Sequence, residues 1–234
     1  MLILALDSTA IVASVALCRD DTPIATFTVK NGNTHSETLL PMVETVLKTA
    51  GHTVDDIDLF ACSIGPGSFT GVRIGVSTIK GLAFGKNKTC IGVSTLEALA
   101  RNLTPAAGIL CPVMNARRGQ VYNALFCCDK EGILIRLCAD RALSVAELEK
   151  ELAEMGEPFI LAGDGEAEML RGITQISPRR VSALLVDQNA VSVAKCAREA
   201  YLNGARGTDA ELAPVYLRLP QAERERLARL NETK

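Results

Sequence analysis

Three apolar runs containing β-branched residues open the chain, at positions 2–7, 11–18 and 23–30. The breaks between them, Ser8-Thr9 and Arg19-Asp20-Asp21, are hairpin-sized, so the opening unit is an antiparallel meander. A helix follows. Thr34 with Glu37 three residues on matches a capping box, Leu39, Leu40, Val43, Val46 and Leu47 recur at helical spacing, and Gly51 ends it. Pro41 removes one backbone hydrogen bond early in that helix and should bend it. The continuous apolar run 59–64 reads as a buried strand. Val72, Val76, Ile79 and Ala83 mark one face of a second helix reaching about Gly85, then come a strand at 90–93 and a helix at 95–103.

Three strands, helix, strand, helix, strand, helix is the order of a ribonuclease-H-like or actin-like lobe. The pattern restarts after Thr104-Pro105 with strands at 109–114, 121–127 and 133–138, a helix at 144–155, a strand at 159–162 and a helix at 189–202. The expected architecture is therefore α/β: an actin-like (ASKHA, ribonuclease-H-like) fold with two lobes, each a mixed sheet flanked by helices. The lobes are expected at 1–103 and 104–210. The charged segment 211–234 is expected to pack back on the first lobe with a mobile end. Composition agrees, since 48% apolar residues with no tryptophan means a core of Val, Ile, Leu and Ala, which favours α/β over a sandwich.

A net charge of −2 provides no sequence-wide pull on phosphate backbones, so nucleic acid is not expected to be held by this chain alone. Eight cysteines without a CxxC, beside two histidines, fit neither a disulfide framework nor a zinc site. Cys18, Cys62, Cys90 and Cys111 lie on apolar segments and read as core thiols in a reducing compartment. The start MLILALD reads as a strand rather than a signal peptide, and no apolar run approaches the roughly 18 residues of a membrane span, so a soluble, cytoplasmic protein is expected.

The stretch CSIGPGSFTGVRIG, residues 62–75, lies where strand-to-helix anion loops occur, yet it is GxGxxxG rather than GxGxxG and lacks the Lys-Ser/Thr of a Walker loop. Gly71 and Gly75 are one turn apart, so their shared face admits another backbone, either a partner helix or the sheet beneath. Asp7, Ser8 and Thr9 end the first strand, and Gly163, Asp164 and Gly165 form a strand-to-helix turn. Together they are candidate nucleotide-binding residues for an ATP-binding kinase-like enzyme, or an ordinary hairpin carboxylate and an ordinary turn. Arg117 and Arg118 fall at a hairpin tip, as an anion or partner contact or a solvated loop. His35 and His52 flank one helix, His35 expected exposed, and no HExxH or GxSxG supports a protease.

In order along the chain, LALDST (4–9), HSETLLPMVETVL (35–47), IGPGSFTGVRIGVSTIKGLA (64–83), VSTLEALA (93–100), NARRGQVY (115–122) and PVYLR (214–218) resemble the TsaB/YeaZ family. The resemblance implies an actin-like fold and a part in making threonylcarbamoyladenosine beside the anticodon of tRNA, as the non-catalytic partner of a TsaD-type catalytic paralogue with a TsaE-type ATPase. It implies a homodimer when alone, tRNA reached only through the complex, ADP or ATP only in complex with partners, and no membrane. It places pairing on the helices at 35–50 and 70–85, through His35, Leu39, Leu40, Val43, Gly71, Val72, Gly75, Thr78, Ile79 and Leu82. Thr95 and Leu99 stand where TsaD-like proteins carry a metal-binding histidine pair, so no metal and no catalytic residue is expected. Asn115 departs from the Asp usual in the family.

Overall fold

The computed structural model describes residues 1–32 and 34–218. Its first half comprises β1 (Leu2–Asp7), β2 (Ala13–Arg19), β3 (Thr22–Val29), α1 (His35–Ala50), β4 (Leu59–Gly65), α2 (Phe69–Ala83), β5 (Thr89–Ser94) and α3 (Thr95–Asn102). The second half adds β6 (Ile109–Arg117), β7 (Gln120–Asn123), β8 (Phe126–Cys128), β9 (Leu134–Arg136), β10 (Arg141–Ser144), α4 (Val145–Met155), β11 (Phe159–Ala162), α5 (Glu166–Gly172) and α6 (Ala190–Leu202).

The first sheet has the order β3-β2-β1-β4-β5, antiparallel across the meander and parallel from β1 through β4 to β5. Every residue of β1 is buried, because helices cover both faces of this central strand. Leu2, Leu4 and Leu6 pack against Leu39, Val43, Val46, Val72 and Ile79 of α1 and α2. On the other face Ile3, Ala5, Ala16 and Ala61 meet Ala98 of α3 and Ala190, Val193, Ala194 and Ala197 of α6, where small residues on both sides permit close packing.

The second sheet runs β10-β7-β6-β8-β9, with β11 parallel to β6. The strand expected at 121–127 is two strands. β7 pairs with the outer part of β6 and β8 with Leu110 farther back, and Asn123 ties the jog by donating its amide to Pro112 O and Ala124 O. α3 joins the lobes: Leu96, Leu99, Ala100 and Leu103 pack on Leu110, Met114 and Phe126 of the second sheet, while Ala98 faces the first. α4 and α5 cover the far side through Leu148, Leu152 and Met169. This is a two-lobed, actin-like α/β fold with mixed sheets flanked by helices, as the element order implies.

Three local expectations change. Thr34 precedes α1 without a side-chain cap, because the first turn closes instead on its carbonyl, which accepts from Glu37 N at 3.1 Å. Leu40 is 56% exposed and Met42 takes a buried place on that helix face, whereas Gly51 caps the C-terminus in the left-handed region at φ 71°. The helix at 190–202, assigned by chain order to the second lobe, belongs by packing to the first, since its alanine-rich stripe fits the small-residue face of β1 and β4.

Residues 207–218 run back along the first lobe. Cys90 N donates to Gly207 O, Lys80 Nζ to Ala210 O and Leu212 O, and Val215 N to Ile64 O at 2.8 Å. The rest of the segment, 219–234, with the mobile end expected for it, lies outside the described residues. Cys18, Cys62, Cys90 and Cys111 are buried and free. Among the described residues no helix is long and apolar enough to cross a membrane.

Candidate functional site

The glycine stretch makes room for the chain's own backbone. At Gly65 the backbone is left-handed (φ 121°), and a Cβ there would overlap Val215 O of the returning segment. Ser68 caps α2, accepting from Gly71 N, and its own N–H donates to Thr9 O at 2.7 Å. A Cβ on Gly71 would overlap Ser8 O, and one on Gly75 would stand 2.6 Å from Ser8 Oγ. Ser8 Oγ in turn donates to Gly71 O at 2.9 Å.

These contacts overturn the expectation that Gly71 and Gly75 leave a face bare for a partner helix. Both lie against Ser8, at the end of β1, inside the same chain. Leu39, Val43, Val72 and Ile79 are likewise core residues, none more than 2% exposed. Of the proposed contact residues, Leu40 is exposed and Thr78 and Leu82 are half-buried. His35 is half-buried rather than exposed, its Nε2 2.6 Å from Ala10 O. Sequence reasoning missed Phe84, 78% exposed just beyond α2: the helix expected to reach about Gly85 ends at Ala83, and Phe84 is not part of the apolar stripe that defines it.

The candidate nucleotide residues divide. Asp7 is buried; Oδ1 accepts from Thr9 N (2.9 Å) and Thr9 Oγ1 (2.7 Å), and Oδ2 from Ser63 Oγ (2.5 Å). Burial pushes its carboxyl above the ordinary range, against the opposing bonds from Ser63 and Thr9. It is a carboxylate that holds the β1–β2 turn. Gly163 (φ 105°) and Gly165 press on β6: a Cβ on Gly163 would overlap Val113 O, and Gly165 N donates to Val113 O. Asp164 alone of that turn reaches open space, with Oδ1 accepting from Asn115 N at 3.2 Å. Burial raises its pKa, opposed by the Asn115 bond, with Asp7 and Asp187 adding to the rise.

The open space is a cleft of about 490 Å³ between the lobes. Its walls are the β1–β2 turn at Thr9, the start of α2 at Phe69, the β6–β7 turn at Arg117, Asp164, and the returning segment at Tyr216 and Arg218. Arg117 and Arg118 are both left-handed (φ 63° and 58°) and form the hairpin tip that the sequence predicts; Arg117 lines the cleft and Arg118 does not. Sequence reasoning assigned no role to Phe69, Arg73 or Tyr216. The Phe69 and Tyr216 rings stack at 4.6 Å, the Arg73 guanidinium sits 3.9 Å over Phe69, and its Nε donates to Tyr216 OH at 2.9 Å. Arg218 Nη1 donates to Ala116 O and carries the segment across to the second lobe. Thr95 and Leu99 are fully buried, and among the described residues no cluster of His, Cys, Asp or Glu has metal-binding geometry.

Residues 30–206 match the family TsaD: tRNA N6-adenosine threonylcarbamoyltransferase. A Bacillus subtilis protein, tRNA threonylcarbamoyladenosine biosynthesis protein TsaB, is 31% identical over 226 residues, covering 95% of this chain and 96% of that one. The chain belongs to the TsaB family. The Escherichia coli protein TsaB is 35% identical over 167 residues, 70% of this chain and 72% of that protein. A solved structure, YeaZ from Pseudomonas aeruginosa, superposes with TM-score 0.78 at 26% identity, covering 92% of this chain and 99% of the other, so the YeaZ fold extends over nearly all of the chain.

Proposed function

We propose that this chain is a cytoplasmic, non-catalytic subunit in tRNA threonylcarbamoyladenosine biosynthesis, pairing with a TsaD-type catalytic chain and forming a homodimer without it. The TsaE-type ATPase, nucleotide and tRNA join at the level of the complex. The observation that carries the pairing surface is the outer side of α1 and α2. The helices lie on one face of the first sheet, their inner residues form the core, and Leu40 and Phe84 remain exposed beside half-buried Ile74, Thr78 and Leu82. The surface is thus the complement of the glycine face.

The non-catalytic reading is supported against a kinase-like one by Asp7, which is buried away from the cleft, and by loop amides already committed to the protein's own oxygens. The deciding experiment reconstitutes threonylcarbamoyladenosine formation with and without this chain, and with Leu40→Glu. A glutamate at an apolar interface should weaken the complex with the TsaD-type chain at least about tenfold without changing the melting temperature. Equal product formation with the chain omitted refutes the subunit role; unchanged affinity for Leu40→Glu refutes the surface.

A further inference from the structure

We propose that the inter-lobe cleft is a binding site for a small organic acid, a molecule with one or two carboxylates or a phosphate and a hydrogen-bonding hydroxyl or amine, held by Arg117 at an anionic end and by Asp164 at the hydroxyl or amine. The proposal goes beyond the subunit role and involves a different part of the surface.

Its size, about 490 Å³, falls in the range of small-molecule sites. The lining combines apolar Ile11, Pro66 and Met114 with two guanidinium groups and one carboxylate, from Arg117, Arg218 and Asp164. Arg218 is anchored through Ala116 O, whereas the left-handed tip at 117–119 positions Arg117 as a second cation at the rim. Asp164 and Arg117 line the same cleft, Asp164 accepting from Asn115 N, two residues before Arg117 on β6. Burial raises the Asp164 carboxyl above its ordinary value, against the bond from Asn115 N, and its oxygens are placed to accept from the ligand's hydroxyl or amine rather than to meet the anionic end.

The backbone argues for a small acid rather than a polyphosphate. Thr9 N donates to Asp7, Ser68 N to Thr9 O, Gly71 N to Ser68 Oγ, Gly163 N to Val186 O, Gly165 N to Val113 O and Glu166 N to Gly163 O. These six amides on the loops that would wrap a phosphate chain are therefore engaged, and recognition falls chiefly to side chains.

The test is calorimetric titration of the full chain at low salt with L-malate, succinate, glycerol 3-phosphate and AMP. L-malate or glycerol 3-phosphate should bind with Kd of roughly 1 mM or tighter, and which of the two binds identifies the anionic group. Arg117→Gln should weaken that binding about tenfold or more, through loss of a charge-assisted bond. Asp164→Asn should narrow the preference for malate over succinate, or lower glycerol 3-phosphate affinity if that is the ligand. Arg117 lies on an exposed turn, so its variant remains informative if Asp164→Asn fails to fold. Absence of binding by either acid, binding of AMP alone, or affinity indifferent to Arg117→Gln each overturns the assignment.

Discussion

Replacing Gly71 with alanine puts a methyl group where the Ser8 carbonyl oxygen stands, far inside the 3.0 Å that real Cβ atoms keep. The obstruction is backbone, so β1 or α2 must move. Such overpacking costs about 1–3 kcal/mol, and distorting the Ser8 Oγ to Gly71 O bond costs about 1 kcal/mol more. The better helix propensity of alanine returns about 1 kcal/mol. The net is a destabilisation of about 2 kcal/mol, or a melting temperature lower by roughly 4–8 °C for a domain of this size. Gly81→Ala is the internal control: it is on the same helix with nothing within 4 Å of its Cβ, and should raise stability by about 0.5–1 kcal/mol. Gly75→Ala should fall between, since its nearest atom is a side-chain hydroxyl at 2.6 Å. Thermal melts followed by circular dichroism rank the three. If Gly71→Ala melts with the wild type but loses its partner, the glycines face outward and the packing described for them is wrong.

Asp7→Asn should alter the pH dependence of stability. With the folded pKa raised above the ordinary 3.8, the native state holds this proton more tightly, so Asp7 destabilises progressively as pH climbs from about 4 through its folded pKa. Urea midpoints at stepped pH should therefore fall for the wild type relative to Asp7→Asn over that interval; a parallel pair of curves would mean that the carboxylate is not raised. Ser144→Ala should cost about 1 kcal/mol, because Ser144 and Glu147 form a complete capping box on α4, whereas Thr34→Ala, at a helix start with no side-chain cap, should cost a few tenths at most. Equal midpoint shifts for the two variants would contradict the difference in their caps.

Local periodicity made much of the fold readable. The meander, the Gly51 stop and the buried stripes of α1 and α2 all follow from residue spacing. Periodicity says that a helix needs an apolar neighbour, not which one, so chain order puts the helix at 189–202 in the second lobe while its alanine stripe packs on the first. A short element such as β10 carries too few periods to register. The jog at Ala124 is invisible in an unbroken apolar run, because it depends on Asn123 bonding to Pro112 across the sheet. At the cleft, Arg117, Thr9 and Asp164 were legible as polar residues at turns. Asp7 stays open between two readings in the sequence because a carboxylate at a strand end looks alike whether it faces a ligand or its own turn; its bonds to Thr9 and Ser63 match the turn-holding one. Phe69, Tyr216 and Arg218 meet only through long-range folding, and nothing in their spacing announces it.

The first sheet emerges early from the ribosome, yet one of its faces waits for residues 190–202 and its glycine loop for Val215. Until then a nascent chain presents Ile3, Ala5 and Ala61 to solvent, a surface for chaperones or for aggregation. A premature stop anywhere before position 190 should therefore yield not a working half but an insoluble fragment.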